Sequence, residues 1–173
     1  MSLLEAQNFL ARIYTDENLR REFLSAPEKI GRANNLSKTE IAELAEVFPE
    51  ELNSFAESLF YKRLREVEKF LPLTKAILDN DFEKCFRAFA ASYLPSSVKK
   101  HLEDAVEFCS YLQKDKRASG IEKDTAKFEQ AKLEFWGFEK RLVIKIFDYD
   151  INTKQKRKHL AVWLRIGKRN IIF

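Results

Sequence analysis

The densest group of residues with a possible chemical use is a basic run near the C-terminus. The stretch 154–158 reads Lys-Gln-Lys-Arg-Lys, and a tryptophan and further cations follow it. Cations beside aromatic rings suit single-stranded nucleic acid, because phosphates pair with the cations while bases stack on the rings. The cations also suit an acidic protein surface, or simply a solvated hairpin whose charges prevent edge-to-edge pairing. The candidate residues for nucleic-acid or acidic-partner binding are Lys154, Lys156, Arg157, Lys158, Trp163, Arg165, Lys168 and Arg169.

Other side chains that could do chemistry are few. His101 precedes Asp104 by three positions on a predicted helix, a spacing that could place two ligands on one face. A metal site needs more donors than these two. Cys85 and Cys109 fall on apolar helical stripes, where free cysteine behaves as a small apolar residue. Since the sequence has no Gly-x-Ser-x-Gly motif and no phosphate-binding glycine loop, we predict no enzymatic activity, no cofactor and no metal.

Charge is distributed unevenly along the chain. The net charge is +4, but residues 139–173 hold ten basic and three acidic side chains, so residues 1–138 carry a negative balance. This asymmetry indicates an acidic partner, which could be nucleic acid, an anionic membrane or an acidic protein face.

Length and composition limit the class of protein. The 173 residues are 45 % apolar, enough for a sizeable core. No uncharged apolar window is long enough to span a membrane, no secretory signal is visible at the N-terminus, and two cysteines make no disulfide framework. We therefore expect a soluble, cytoplasmic, helix-rich protein.

The elements that must hold the basic run are predicted by a change of period at Gly137. Before it, apolar residues recur every three or four positions, as in the long segment 49–71, and Ser2 and Ser37 each open a capping box. After it, apolar residues alternate along 142–147 and 160–166. Gly167 and Lys168 suit a two-residue turn into a third strand at 171–173, with the run 154–158 at the tip of the first hairpin.

These patterns predict a mainly α fold: a multi-helix bundle of about eight helices with a small C-terminal antiparallel β-ribbon, hence α+β. The expected organisation is a helical domain over 1–113, a polar linker over 114–124, and a C-terminal region over 125–173. That last region would comprise a helix and a basic β-meander. Because a three-stranded ribbon is only marginally stable alone, we expect it to pack on the helical domain or on a partner copy.

Several stretches also carry a resemblance to a known family. They are Leu59-Phe60-Tyr61-Lys62-Arg63, Phe70-Leu71-Pro72-Leu73-Thr74, the Phe-rich helix of Phe82 and Phe86, the segment Leu102-Glu103-Asp104-Ala105-Val106-Glu107-Phe108, and the basic tail after Glu134. Together they resemble an uncharacterised bacterial helical family with a C-terminal basic β-hairpin. That family is distantly similar to a domain first named for DNA binding. Relatives of the domain are partner subunits of iron oxidases that modify ribosomally made peptides, as in methanobactin biosynthesis. The resemblance implies a helical module that grips a peptide or a partner enzyme, and it implies no catalytic residue.

Two functions follow as hypotheses. The first is a non-enzymatic interaction module, an accessory subunit or peptide-binding partner of a modifying enzyme. It would use an apolar groove between helices, or the open edge of the ribbon by strand addition. The second is a nucleic-acid-binding protein that uses the basic and aromatic ribbon.

Overall fold

The computed structural model describes residues 3–46, 49–167 and 169–173, which form nine helices and one three-stranded antiparallel sheet. The helices are α1 (Leu3–Thr15), α2 (Glu17–Ser25), α3 (Pro27–Ala33), α4 (Lys38–Ala45), α5 (Pro49–Phe70), α6 (Pro72–Leu78), α7 (Asp81–Ala90), α8 (Lys100–Lys114) and α9 (Gly120–Trp136). The strands are β1 (Leu142–Tyr149), β2 (Lys156–Ile166) and β3 (Arg169–Ile172). The predicted mainly α class with a C-terminal antiparallel ribbon is confirmed.

Local signals set many helix starts. The Ser37 hydroxyl accepts the backbone N–H of Glu40, and the Glu40 carboxylate accepts the Ser37 N–H at 2.8 Å. This reciprocal arrangement is the predicted capping box. Two other predicted features lie outside the described residues. They are the capping box that Ser2 was predicted to open and the place of Lys168 in the predicted two-residue turn.

The chain divides into two compact units. One comprises Met1–Arg63 with Ala90–Leu94, and the other comprises Leu64–Phe89 with Pro95–Phe173. The core of the first unit contains Phe9 and Phe23, whose rings meet edge to face at 5.4 Å. In no helix of the described residues does an apolar stretch reach the length that a membrane crossing requires.

The second unit has an aromatic cluster between α7 and α8. Phe82 and Phe86 meet Phe108 edge to face, with ring centroids 5.4 and 5.2 Å apart. Edge-to-face pairs place the positive ring edge on the negative ring face, so they add to the stabilisation from burial alone. This cluster fixes α8, against which α9 packs.

The segment expected to be a linker is only partly a loop. Residues 115–119 connect α8 to α9, and residues 120–124 belong to α9. The reason is a capping box in which Ser119 donates its N–H to the Glu122 carboxylate at 2.6 Å, while the Ser119 hydroxyl accepts the Glu122 N–H. Helices α8 and α9 lie in the same compact unit.

The sheet has the order β1-β2-β3, with both neighbouring pairs antiparallel. Val143 lies opposite Trp163, and Trp163 lies opposite Ile172. The basic run 154–158 was predicted to lie at the hairpin tip, and only part of it does. β2 begins at Lys156, so only Lys154 and Gln155 of the run precede the strand. The turn closes earlier, where the Asp150 N–H donates to the Gln155 carbonyl and the Asp150 carbonyl accepts the Lys154 N–H.

Candidate binding surface on the C-terminal sheet

One face of the sheet, the inner face, packs on α9. Val143, Phe147 and Trp163 are buried there in one cluster with Ala131 and Phe135 of α9. Successive side chains of a strand point to opposite sides, so the positions between these residues must point away from α9.

Those intervening positions define the outer face, and all of them along the centre of the sheet are apolar. Ile144 lies opposite Val162, and Ile146 lies opposite Leu160. Ile144 and Ile146 are 54 % and 56 % exposed, and Leu160 is 56 % exposed. A half-buried sheet normally alternates apolar and polar residues, so this pattern marks an unpartnered surface. The outer face consists of Leu142, Ile144, Ile146, Leu160, Val162, Leu164, Ile166, Ile171 and Phe173.

Charged side chains extend this face at both ends. Lys158 follows Leu160 at one end, where Asp148 of β1 also lies, and Arg169 lies opposite Ile166 at the other end. These three side chains are exposed. The register shifts between Phe147 and Tyr149, so Lys156 lies opposite Tyr149, whose ring lies against Gly120 of α9 on the inner side.

The free edge of β1 is closed near its C-terminal end by side chains from α9. Asp124 is buried, and its carboxylate accepts the backbone N–H groups of Asp148 and Tyr149. Lys127 pairs with Asp124 at 2.6 Å and donates to the Ile146 carbonyl at 3.0 Å. Because these backbone groups are already bonded, an added strand has no partners at this end of β1.

Two of the residues predicted to bind a partner contact other parts of the fold. Trp163 is 2 % exposed, and its ring centroid lies 5.9 Å from that of Phe128. The Arg165 guanidinium lies over the Phe135 ring and donates to the Phe135 carbonyl at 3.1 Å and to Asn170 at 3.2 Å. The structure thus removes Trp163 from the accessible set, because burial against α9 is the ordinary use of a large ring on an apolar strand face.

The other described residues of the predicted set lie at the two ends of the sheet. Lys154 is in the β1–β2 turn, and Lys156, Arg157 and Lys158 open β2, all of them exposed. Arg169 opens β3 at the far end. The basic residues are therefore divided between two ends of the sheet, whereas the sequence suggested a single cationic and aromatic surface.

A cavity of about 380 Å³ lies beside the β1–β2 turn, lined in part by Phe128, Asp150 and His159. The His159 ring stacks on Phe147 with centroids 5.2 Å apart. Asp150 accepts the N–H groups of Thr153 and Asn152, which lower the pKa of its carboxyl. The carboxylate is thus used to hold the turn.

The cysteines lack the surroundings of a nucleophile. Burial, and then the neighbouring Asp81, raises the pKa of the half-buried Cys85 thiol. Burial raises the pKa of the Cys109 thiol well above its usual value, and the nearby Glu129 adds to this. Since the reactive form is the thiolate, both positions disfavour it.

Other buried polar groups serve the fold. The Glu129 carboxylate accepts the N–H groups of Leu73 and Thr74 at 2.9 and 2.8 Å, so it caps the start of α6. His101 is half-buried, and its Nδ1 has no hydrogen-bond partner among the described residues. Within residues 3–46, 49–167 and 169–173, no group of three or more His, Cys, Asp or Glu side chains is placed to hold a metal ion.

Comparison with family models, curated proteins and solved structures finds no match to this chain. The resemblance to the bacterial helical family stays a prediction.

Proposed function

We propose that this protein is a non-catalytic interaction module that binds another protein through the outer face of its C-terminal sheet. The observation that carries the proposal is the row of exposed aliphatic side chains, Ile144, Ile146 and Leu160 among them, with no polar residue between them on that face. Isolated exposed apolar residues need no explanation, but a contiguous patch indicates an interaction site.

The size of the outer face fits this role. Eight residues of β1 extend about 26 Å, and three strands cover about 14 Å, which gives on the order of 350 Å². Functional patches on single chains are of this size. The closed edge of β1 favours contact through the face over strand addition, because Asp124 and Lys127 already bond its backbone groups.

The finer part of the proposal is that the partner is a modifying enzyme. The protein would then be an accessory subunit of that enzyme or would bind the peptide that the enzyme modifies. This part is supported by the sequence resemblance alone. A cytoplasmic location accords with the unpaired Cys85 and Cys109, since disulfides are rare in reducing compartments.

The experiment compares two variants of the tagged full chain. The outer-face variant carries Ile144→Thr, Ile146→Thr and Leu160→Thr, which keep β-branched or strand-compatible residues in the sheet. The loop variant carries Leu94→Thr and Val98→Thr, which remove exposed apolar side chains elsewhere.

Both variants should retain the circular dichroism spectrum of the parent protein. Quantitative mass spectrometry of proteins co-purified from the source cells should show one partner that the parent and the loop variant recover. The outer-face variant should lose that partner by about tenfold or more. If all three proteins recover the partner equally, the outer face is not the binding surface.

Nucleic-acid binding is a second candidate, supported by the exposed Lys156, Arg157 and Lys158. Its weakness is that Trp163 is buried, so this ring is not accessible for stacking beside the cations. Counterion release predicts that affinity for oligo(dT) falls steeply with salt. Substituting all three cations with glutamate should abolish binding that depends on them, and unchanged affinity would exclude this account.

A further inference from the structure

We propose that the cavity beside the β1–β2 turn binds a small aromatic cation of the arylalkylamine type and accepts hydrogen bonds from its N–H groups. The cavity is lined by residues of α9 and of the inner side of the sheet. This site is therefore separate from the outer face, and it goes beyond the function proposed above.

The walls of the cavity are mostly aromatic and aliphatic. Leu73 of α6, Phe128 of α9 and Phe147 of β1 border a volume of about 380 Å³. Ligand pockets begin at about 300 Å³ and are lined mainly by such side chains. Because these elements belong to one compact unit, a single unit of the chain forms the whole cavity. Its volume suits a ligand with one or two rings.

Two rings of the lining form a stack. The His159 imidazole lies on the Phe147 ring, with centroids 5.2 Å apart and planes 21° from parallel. Phe147 is buried, whereas His159 is half-buried and borders the cavity. The stack thus holds the imidazole in place beside the cavity. We expect a flat ligand ring to pack against these rings in the offset or edge-to-face geometry that aromatic pairs prefer.

The hydrogen bond of His159 decides what its other nitrogen offers to a ligand. Nδ1 lies 3.0 Å from the Arg157 carbonyl oxygen. A carbonyl oxygen only accepts, so Nδ1 carries the proton of the neutral ring and Nε2 is an acceptor. Nε2 has no hydrogen-bond partner among the described residues. A ligand that reaches this nitrogen must therefore bring a donor.

The carboxylate of the lining, Asp150, also accepts. Its Oδ1 holds the N–H groups of Asn152 and Thr153, and a carboxylate has further lone pairs on both oxygens. Asn152, the other polar residue described in the lining, has an exposed amide that can donate or accept. A donor with positive charge fits this acceptor-rich rim, whereas a carboxylate ligand would be repelled by Asp150.

Two lysines approach the rings of the cavity from outside its lining. The Lys127 ammonium pairs with Asp124 at 2.6 Å and lies 5.5 Å from the Phe147 centroid. The Lys132 ammonium lies 5.7 Å from the Phe128 centroid. Neither lysine borders the cavity. The formal charge that a bound ligand meets directly is therefore that of Asp150.

The test titrates the isotope-labelled full chain with four indole compounds and follows the backbone amides by NMR. Tryptamine has both the charge and the ammonium donors, and its N,N,N-trimethyl derivative keeps the charge without those donors. Skatole is neutral, and indole acetate is an anion. We expect tryptamine to shift the amides of the β1–β2 turn and of His159 in a saturable way, with a Kd of about 1 mM or below.

The other three compounds should bind at least about threefold more weakly than tryptamine, and indole acetate should bind most weakly. Three results would overturn the proposal. They are shifts confined to residues away from the cavity, no saturation by roughly 10 mM tryptamine, and equal binding of tryptamine and indole acetate. Equal binding of tryptamine and its trimethyl derivative would overturn the acceptor role of the rim.

Matched variants separate the cavity from ordinary surface charge. Asp150→Asn removes the charge but keeps an oxygen that accepts the turn N–H groups, while Asp148→Asn makes the same charge change at an exposed position outside the lining. At low salt we expect Asp150→Asn to weaken tryptamine binding by about threefold to fivefold and Asp148→Asn to leave it unchanged. Equal effects of the two substitutions would contradict the proposed contact.

The imidazole has its own variant. His159→Phe keeps a ring beside Phe147 but removes Nε2, so it should weaken tryptamine binding by about threefold or more. Unchanged binding would contradict the acceptor role of His159. The dispersion of each spectrum reports whether a variant is folded, and the series of four compounds on the parent protein needs no variant.

The outer-face variant distinguishes this inference from the proposed function. Its substitutions lie on the opposite side of the sheet, so it should bind tryptamine as the parent does while it loses the protein partner. If the tryptamine titration fails, the outer face keeps its proposed role. If the outer-face variant recovers the partner as well as the parent does, the proposed function fails while the cavity keeps its ligand.

Discussion

Val143 and Ile144 are neighbours in β1, similar in size and equally apolar, yet Val143 is 4 % exposed and Ile144 is 54 % exposed. The difference between them is the presence of α9 on one side of the sheet only. On an ordinary antiparallel sheet the solvent-exposed face carries polar side chains. The outer face of this sheet is exposed although its side chains are apolar. The outer face is thus an apolar surface that no element of the described chain covers.

The largest predicted effect concerns the inner face. Trp163→Ala would remove the largest side chain packed against α9, and we expect it to lower the free energy of unfolding by about 3–5 kcal/mol. Urea denaturation followed by circular dichroism measures this. Trp136→Ala, at an exposed tryptophan of the same helix region, is the control and should cost far less. Equal losses would contradict the contrast between covered and uncovered side chains.

A second effect concerns the edge where α9 holds β1. Asp124→Ala would leave the N–H groups of Asp148 and Tyr149 without their acceptor, and we expect a loss of about 1–3 kcal/mol in unfolding free energy. Amide hydrogen exchange at these two positions should accelerate. The matched control is Asp148→Ala, which removes an exposed carboxylate of β1 itself. An unchanged exchange rate in Asp124→Ala would show that the carboxylate does not hold this edge.

The third prediction tests the two faces directly. Val143→Thr would bury a hydroxyl against α9 and should cost about 1–3 kcal/mol. Ile144→Thr, one position along, should change the unfolding free energy by no more than about 0.5 kcal/mol, because its side chain is exposed. Thermal unfolding of the two purified variants compares them. A large cost for Ile144→Thr would mean that something already covers the outer face in solution.

The smallest effect concerns the turn between β1 and β2. The N–H groups of Thr153 and Asn152 lower the pKa of Asp150 in the folded protein below its unfolded value of about 3.9. The carboxylate therefore stabilises the turn above about pH 4, and this contribution is lost as pH falls through the folded pKa. NMR titration of the carboxyl group should show the lowered pKa. Asp150→Asn should reduce the acid sensitivity of the amides in this turn, and an Asp150 that titrates normally would contradict the expected bonding.

The change of period at Gly137 was enough to predict the α+β class and three C-terminal strands, because alternation of apolar residues is a local property of the chain. It was not enough to assign Trp163. Strand alternation separates two sets of side chains, but only the position of α9 decides which set is buried. A further signal was present in the sequence. Leu142, Val143 and Ile144 are consecutive apolar residues, so both faces of β1 carry apolar side chains, which is typical of strands covered on two sides.

The start of α9 was missed for a different reason. Polar composition and Gly120 suggested a linker, while the Ser119 to Glu122 capping spacing indicated a helix start. The role of Asp124 could not be predicted from its spacing, since its backbone partners at Asp148 and Tyr149 lie more than 20 positions away. Contacts of this range are set by tertiary packing, which no local pattern encodes.

The closure of the β1 edge by Asp124 and Lys127 has a consequence for the protein at high concentration. An exposed apolar surface beside an unpaired strand edge favours fibril formation. Each added chain pairs with the previous one through its backbone and then presents a new unpaired edge. Here the bonded part of β1 cannot template such growth, and β3 offers only the four residues of Arg169–Ile172. The exposed apolar side chains of the outer face therefore lie beside strand edges that limit the addition of further copies.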